Sequence, residues 1–225
     1  VKVFAPATIG NIGPGFDTLG LAIKGLGDTI EAKKIPNNNV IIENIINADH
    51  DITKDPNKNT AGIAANEVLN MINTKEGISL KITKGLPSGS GLGSSAASAV
   101  AGAYATNLLF GDKLNKNDLL QAAMAGEYSV SGGYFADNVA PAIYGGATLT
   151  RSLDPLKIIH LGNISNLIII IATPKITILT RDSRQVIPKK VEFSDCINNL
   201  ANTASITAAF CKNNYNLLKD NLFDH

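Results

Sequence analysis

The stretch that most restricts how this chain can fold runs from Ile78 to Leu109. Ile78-Ser79-Leu80-Lys81-Ile82-Thr83 alternates apolar and polar residues, the pattern of a half-buried strand. Pro87-Ser88-Gly89-Ser90-Gly91-Leu92-Gly93-Ser94-Ser95 follows, and the small-residue run from Ala96 to Leu109 then reads as a helix. Glycines between a strand and a helix let backbone amides approach an anion closely. The free amides and dipole at the helix start favour negative charge there. Serine hydroxyls add donors to phosphate oxygens, or a ligand to a phosphate-bound magnesium. Two familiar phosphate loops are excluded: no lysine follows Gly93, and Ser94 stands where a Gly-x-Gly-x-x-Gly fingerprint needs its last glycine. A tight packing turn would not need so many glycines and serines together, so the segment reads as a phosphate-binding turn.

Around it the chain reads as a mixture of strands and helices. Val1–Ala5, Thr18–Ile23, Asp28–Ala32 and Val40–Glu43 carry strand-like patterns separated by Gly, Pro and Asn clusters. Asn59-Thr60 opens a helix with Ile63, Val68, Leu69 and Ile72 on one side, and Asn115 or Asn117 caps a second over Asn117–Tyr128. Strands are expected at Ala147–Thr150, Lys157–Leu161 and Leu167–Ala172, then a helix over Phe193–Lys212. A domain boundary is expected near residues 151–155, dividing the chain into 1–152 and 153–225. Leu217 to His225 reads like the interior of a fold, which implies that a further C-terminal portion belongs to the natural protein.

Composition narrows the function classes. Lys and Arg number 20 against 19 for Asp and Glu, so the chain lacks the basic footprint of a nucleic-acid binder. Its longest apolar run, Leu167–Ala172, is far short of the ~18 residues of a membrane span. No signal-peptide pattern precedes the first strand, and the expectation is a soluble, cytoplasmic protein without a membrane partner. Cys196 and Cys211 read as buried free thiols. His50, His160 and His225 adjoin no ligand cluster, which argues against zinc.

Several polar positions admit two readings each. Asn11 and Asp17, in the glycine-rich loop Ala5–Asp17, either serve the turn itself or present polar groups to a small substrate. Glu127 is either a solvated helix residue or a magnesium ligand. Asp137-Asn138-Val139-Ala140-Pro141 is either a helix cap or part of a site. Arg184, in Thr180-Arg181-Asp182-Ser183-Arg184, belongs either to a solvated loop or to a bidentate carboxylate clamp.

Together these segments resemble the GHMP small-molecule kinases, and within them the homoserine branch. Pro87–Ser95 is similar to the central phosphate motif of that superfamily, and Asn11–Asp17 to its N-terminal motif. Ala136–Ala142 and Thr180–Arg184, with Pro188 after them, favour the homoserine branch. The resemblance implies an α+β GHMP kinase fold of two domains. A ribosomal protein S5 domain 2-like ATP-binding domain with a left-handed βαβ crossover would span 1–152, and an incomplete ferredoxin-like domain 153–225. It implies transfer of the γ-phosphate of ATP to L-homoserine in threonine biosynthesis, with magnesium, in a chain that pairs as a homodimer. A mevalonate-type kinase and a non-catalytic nucleotide-binding relative are the alternatives. ATP is then expected at Asn59, Lys84 and Pro87, Ser88, Gly89, Ser90, Gly91, Leu92, Gly93, Ser94 and Ser95. Magnesium falls to Ser95 and Glu127, and homoserine to Asn11, Asp17, Asn138, Thr180 and Arg184. Asn138, Ser95 and Glu127 form the expected catalytic set, with no residue assigned as general base. Where the family usually carries a histidine just before this Asp-Asn pair, the chain has Phe135, which removes a polar contact near the substrate.

Overall fold

The computed structural model describes residues 1–172, 184 and 186–225. Among the described residues, six strands form one sheet: β1 (Lys2–Gly10), β2 (Leu19–Ile35), β3 (Val40–Ile46), β4 (Gly77–Thr83), β5 (Ala147–Leu153) and β6 (Leu156–Gly162). The order is β3-β4-β2-β5-β6, and β1 pairs with β2 off that path. All neighbours are antiparallel except β3 and β4, which run parallel because helix α1 (Thr60–Ile72) carries the chain from one to the other. Helices α2 (Ser94–Leu109), α3 (Lys116–Ser131) and α4 (Val139–Tyr144) precede β5, and α5 (Phe193–Cys211) and α6 (Tyr215–Lys219) follow β6.

The helix starts follow from capping chemistry. The Asn59 side chain accepts from the Ala61 and Gly62 amides at the start of α1. Asn115 and Asp118 form a reciprocal capping box at the start of α3, as the position of Asn115 predicts. Helix α2 is buried nearly all round. Its small residues, including Ala96, Ala97, Ala99, Ala101, Ala103 and Ala105, let α1 and α3 pack closely against it.

Two strand expectations are corrected. Thr18–Ile23 and Asp28–Ala32 are not separate strands but the two ends of β2. The turn residues between them form a bulge: Pro6 pairs with Gly27 and Ala7 with Ile23, so Lys24, Gly25 and Leu26 have no partner on β1. Gly25 absorbs the bend at φ 86°, and pairing resumes beyond it. Leu167–Ala172 is the second correction, since it forms no strand and joins no ladder among the described residues. Leu167 and Ile169 pack against the core, whereas Ile168 and Ile170 are 86% and 91% exposed. Alternation here reports one buried side and not strand pairing.

Buried apolar residues fall into two clusters. The larger joins β1–β4 to α1–α4, and the smaller gathers Ile12, Leu19, Leu21, Ala147 and Leu161 with Ile206, Phe210 and Leu218. The β5–β6 hairpin, with Leu149 opposite Ile159, straddles residues 152 and 153 within the one sheet. Leu218 is buried as its apolar setting suggests, but Leu222 and Phe223 are exposed. Cys196 and Cys211 are free and exposed, against the expectation of burial. No helix among the described residues is long and apolar enough to cross a membrane.

Candidate active site

The glycine-serine turn joins β4 to α2 and forms one wall of a cavity of about 700 Å³. Ser88, Gly89, Ser90, Gly91, Gly93, Ser94 and Ser95 line it, with Asn59, Lys84, Glu127 and Asn138. Pro87 and Leu92 complete the turn without lining the cavity. Leu92 is buried, and its carbonyl accepts from the Thr8 amide at 3.0 Å. Gly93 caps α2 at φ 63°, and no side chain bonds the first amides of the helix. Those amides are therefore free for an anion. A Cβ on Gly93 would run into the Thr8 hydroxyl and come within 3.0 Å of Asn138 Oδ1, so the turn tolerates no side chain there.

Behind the turn lies a charged network that sequence reading did not anticipate. Asp28, fully buried on β2, accepts through Oδ2 from Lys84 Nζ and from Ser98 Oγ at 2.6 Å, and through Oδ1 from the Gly85 amide at 2.9 Å. Lys84 Nζ also donates to Ser98 Oγ at 2.8 Å and to the Ser94 carbonyl at 3.1 Å. Lys84, expected at the nucleotide, thus lines the cavity while its charge is compensated by Asp28. The only sequence signal for Asp28 was an acidic residue on the inward side of an alternating segment.

Ser95 Oγ donates to Glu127 Oε1 at 2.8 Å, bringing together the residues expected at magnesium. Glu127 is not the solvated residue of the simpler reading. Its Oε2 is buried and has no partner among the described residues. Burial pushes the Glu127 carboxyl up to about 7; Asp137 adds to the rise, while the Ser95 hydrogen bond and Lys84 oppose it. A carboxyl raised in the folded state holds a proton that the unfolded chain has released. Its stabilising contribution is complete below about pH 4.5 and is lost as pH rises through about 7. Glu127→Gln is therefore expected to make the ligand-free protein more stable than wild type at about pH 8, by on the order of 3 kcal/mol. The gap should close by about pH 4 in urea melts. An equal gap at both pH values would show that Glu127 titrates normally.

Asn138 links this cavity to a second group of polar residues. Its Oδ1 accepts from Thr8 Oγ1 at 2.9 Å, and its Nδ2 donates to Asp137 Oδ2 at 3.3 Å. Asp137 is buried, and its carboxyl is raised to about 6 by that burial and by the neighbouring Asp17 charge, with Arg184 opposing. Asp17 and Arg184 form a bidentate ion pair, Nη1 to Oδ2 at 3.1 Å and Nη2 to Oδ1 at 2.5 Å. Asn11 Oδ1 accepts from the Asp17 amide at 3.0 Å, holding the loop that presents this carboxylate. Asn11 thus serves the turn, as its simpler reading has it, while Asp17 is engaged by Arg184. Thr180 lies outside the described residues. Thr8 joins Asp28 as a member that sequence reading missed, because a buried Thr in a strand carries no motif of its own, whereas Asp137 stood in the Asp137–Pro141 segment already read as a helix cap or part of a site.

The family described as GHMP kinases N terminal domain matches residues 59–146, from the cap of α1 through the turn to the end of α4. A homoserine kinase of Methanococcus maripaludis is 38% identical over 217 residues, covering 96% of this chain and 71% of that protein. One of Arabidopsis thaliana is 40% identical over 215 residues, covering 93% and 58%. The crystal structure of homoserine kinase from Cytophaga hutchinsonii superposes with a TM-score of 0.90 at 38% identity, over 100% of this chain and 71% of that one. A mevalonate kinase structure from Methanococcus jannaschii shares the fold at a TM-score of 0.57 and 16% identity. With relatives this similar over nearly its whole length, the chain belongs to the homoserine kinase family of the GHMP kinases.

Proposed function

We propose that the protein transfers the γ-phosphate of ATP to the side-chain hydroxyl of L-homoserine, giving O-phospho-L-homoserine for threonine biosynthesis. The observation that carries this reading is the position of Asn138. It lines the cavity with the glycine turn and donates to Asp137, whose buried carboxyl lies within the charge influence of the Asp17–Arg184 pair. An amino acid with a hydroxylated side chain needs both ends of that arrangement.

The nucleotide phosphates are received by the free amides of α2 and the backbone of Gly89–Ser95. Asn59 and Lys84 border the same cavity on the nucleotide side. Ser95 and Glu127 offer hard oxygen ligands, and the unpartnered Glu127 Oε2 suits a magnesium ion. When bound there, such an ion neutralises charge on the phosphate oxygens. Asn138 orients the acceptor hydroxyl for in-line attack, and the α2 amides stabilise charge that develops on the transferred group. Phosphoryl transfer rests on positioning and charge, so a strong base is not required of the site. At the substrate end, Arg184 takes the carboxylate, Asp17 the ammonium group, and Asn11 fixes the loop that carries Asp17. Thr180 belongs to the same proposal through its motif. So do the division into units 1–152 and 153–225, the cytoplasmic setting and the homodimer.

The direct test is ADP release by the full-length protein with magnesium-ATP, offering L-homoserine and mevalonate in parallel. Turnover with homoserine that falls by about 10²-fold in Asn138→Ala is the expected result, since a lost orienting contact removes transition-state stabilisation. Turnover with mevalonate alone would overturn the substrate assignment and keep the kinase chemistry.

A further inference from the structure

Arg184 is held on more sides than a carboxylate clamp requires. One edge of its planar guanidinium, Nη1 and Nη2, is engaged end-on by Asp17. Its face lies over the Phe135 ring with 3.7 Å between the guanidinium carbon and the ring centroid, and the Phe16 ring stands at 5.1 Å. Phe135 is itself backed by the chain: a Cβ on Gly133 would lie 2.5 Å from its Cε2 and Cζ atoms, so that turn leaves the ring little room to recede. Arg184 Nε is buried and has no acceptor among the described residues.

A guanidinium can offer a carboxylate either its end-on edge or the side edge that includes Nε. The end-on edge is occupied. With that edge fixed by Asp17 and the plane fixed by Phe135, the Nε edge remains as an oriented donor with no acceptor among the described residues. We propose that Phe135 is a positioning and specificity-determining residue, holding the Arg184 plane so that its Nε edge receives the carboxylate of the amino acid substrate. This rests on the kinase reading above. It also means that Asp17 and Arg184 need not separate for substrate to bind. Asp17 can keep both hydrogen bonds to Arg184 while its remaining lone pairs accept from an ammonium group. Phenylalanine suits the task because its ring offers a flat, uncharged face and competes for none of these hydrogen bonds.

The test uses the full-length protein with Phe135→Leu, which keeps apolar bulk but removes the ring face, and Phe135→Tyr, which keeps the face. Phe135→Leu is expected to raise KM for homoserine about tenfold, the scale of a desolvated cation–ring contact. KM for ATP and kcat should stay within about twofold, and Phe135→Tyr should behave like wild type. An unchanged homoserine KM, or equal damage to the ATP KM, would overturn the proposal. An independent arm records the Arg184 Nε–H resonance by NMR, assigned with Arg184→Lys. Its ring-current shielding should disappear in Phe135→Leu, and shielding that persists would overturn the ring contact. If wild type shows no turnover with homoserine, the homoserine assignment fails, and the NMR arm alone then decides whether Phe135 positions Arg184.

Discussion

Replacing Arg184 by alanine is expected to lower kcat/KM for homoserine by about 10²- to 10³-fold while leaving ATP affinity within about twofold. Two losses combine. The substrate carboxylate loses its charge-assisted partner, and Asp17 loses the guanidinium that neutralises it through two hydrogen bonds. Asp17 would then stand near the buried Asp137 with no cation between them, and the Asp17 charge already raises the Asp137 carboxyl. Arg184→Lys should recover little, because a point-like ammonium cannot engage two carboxylates and stack on Phe135 at once. The ATP end should be insensitive, since neither Arg184 nor Asp17 lines the cavity formed by the glycine turn. Steady-state kinetics with each substrate varied in turn would check this. A fall of less than about fivefold would remove Arg184 from the carboxylate site.

Asp28→Asn is expected to destabilise the protein by about 3–5 kcal/mol, measured by urea unfolding. The carboxylate it removes accepts three hydrogen bonds, from Lys84, Ser98 and the Gly85 amide, and carries the charge that compensates a buried lysine. Breaking one half of such a pair leaves the other charge buried and unpaired, which costs more than the pair contributes over an apolar replacement. The double variant Asp28→Asn, Lys84→Met should therefore regain part of the loss. A double variant less stable than Asp28→Asn alone would show that Lys84 stabilises chiefly through its bonds to Ser98 and the Ser94 carbonyl. Because Ser94 opens α2, loss of this network should also loosen the turn proposed to receive phosphate.

What could be read in the sequence was what depends on neighbours along the chain. The turn at Pro87–Ser95, the cap at Asn115 and the helix over Phe193–Cys211 are local and were legible. The long strand β2 was not, because Gly25 and Gly27 look like a turn until the pairing with β1 shows a bulge. The chain Ile168 to Ile171 misleads in the opposite sense: β-branched residues are present, but no described strand pairs with them. Glu127 could be a surface residue or a ligand by sequence alone, and only the fold reveals a carboxyl oxygen sealed from solvent beside Ser95. Asp17 and Arg184 were each identified as ends of a substrate site. Their pairing with each other, 167 positions apart, and the ring of Phe135 beneath the guanidinium, are tertiary facts without a local signature.

Strand β1 works as a ruler between the two halves of the site. At Thr8 its amide is tied to Leu92 of the glycine turn and its hydroxyl to Asn138, and three residues further on its chain enters the loop of Asn11 and Asp17. In the proposed site, the spacing between phosphate donor and acceptor anchor is thus written into a buried backbone, where no exchange of side chains can lengthen or shorten it. A chain of this design can change its acceptor by altering the far loop and the residues facing it, at Phe16, Asp17, Phe135 and Arg184, while the phosphate end keeps its dimensions. New substrates of similar length are within reach of point substitutions. A longer acceptor demands a rebuilt strand.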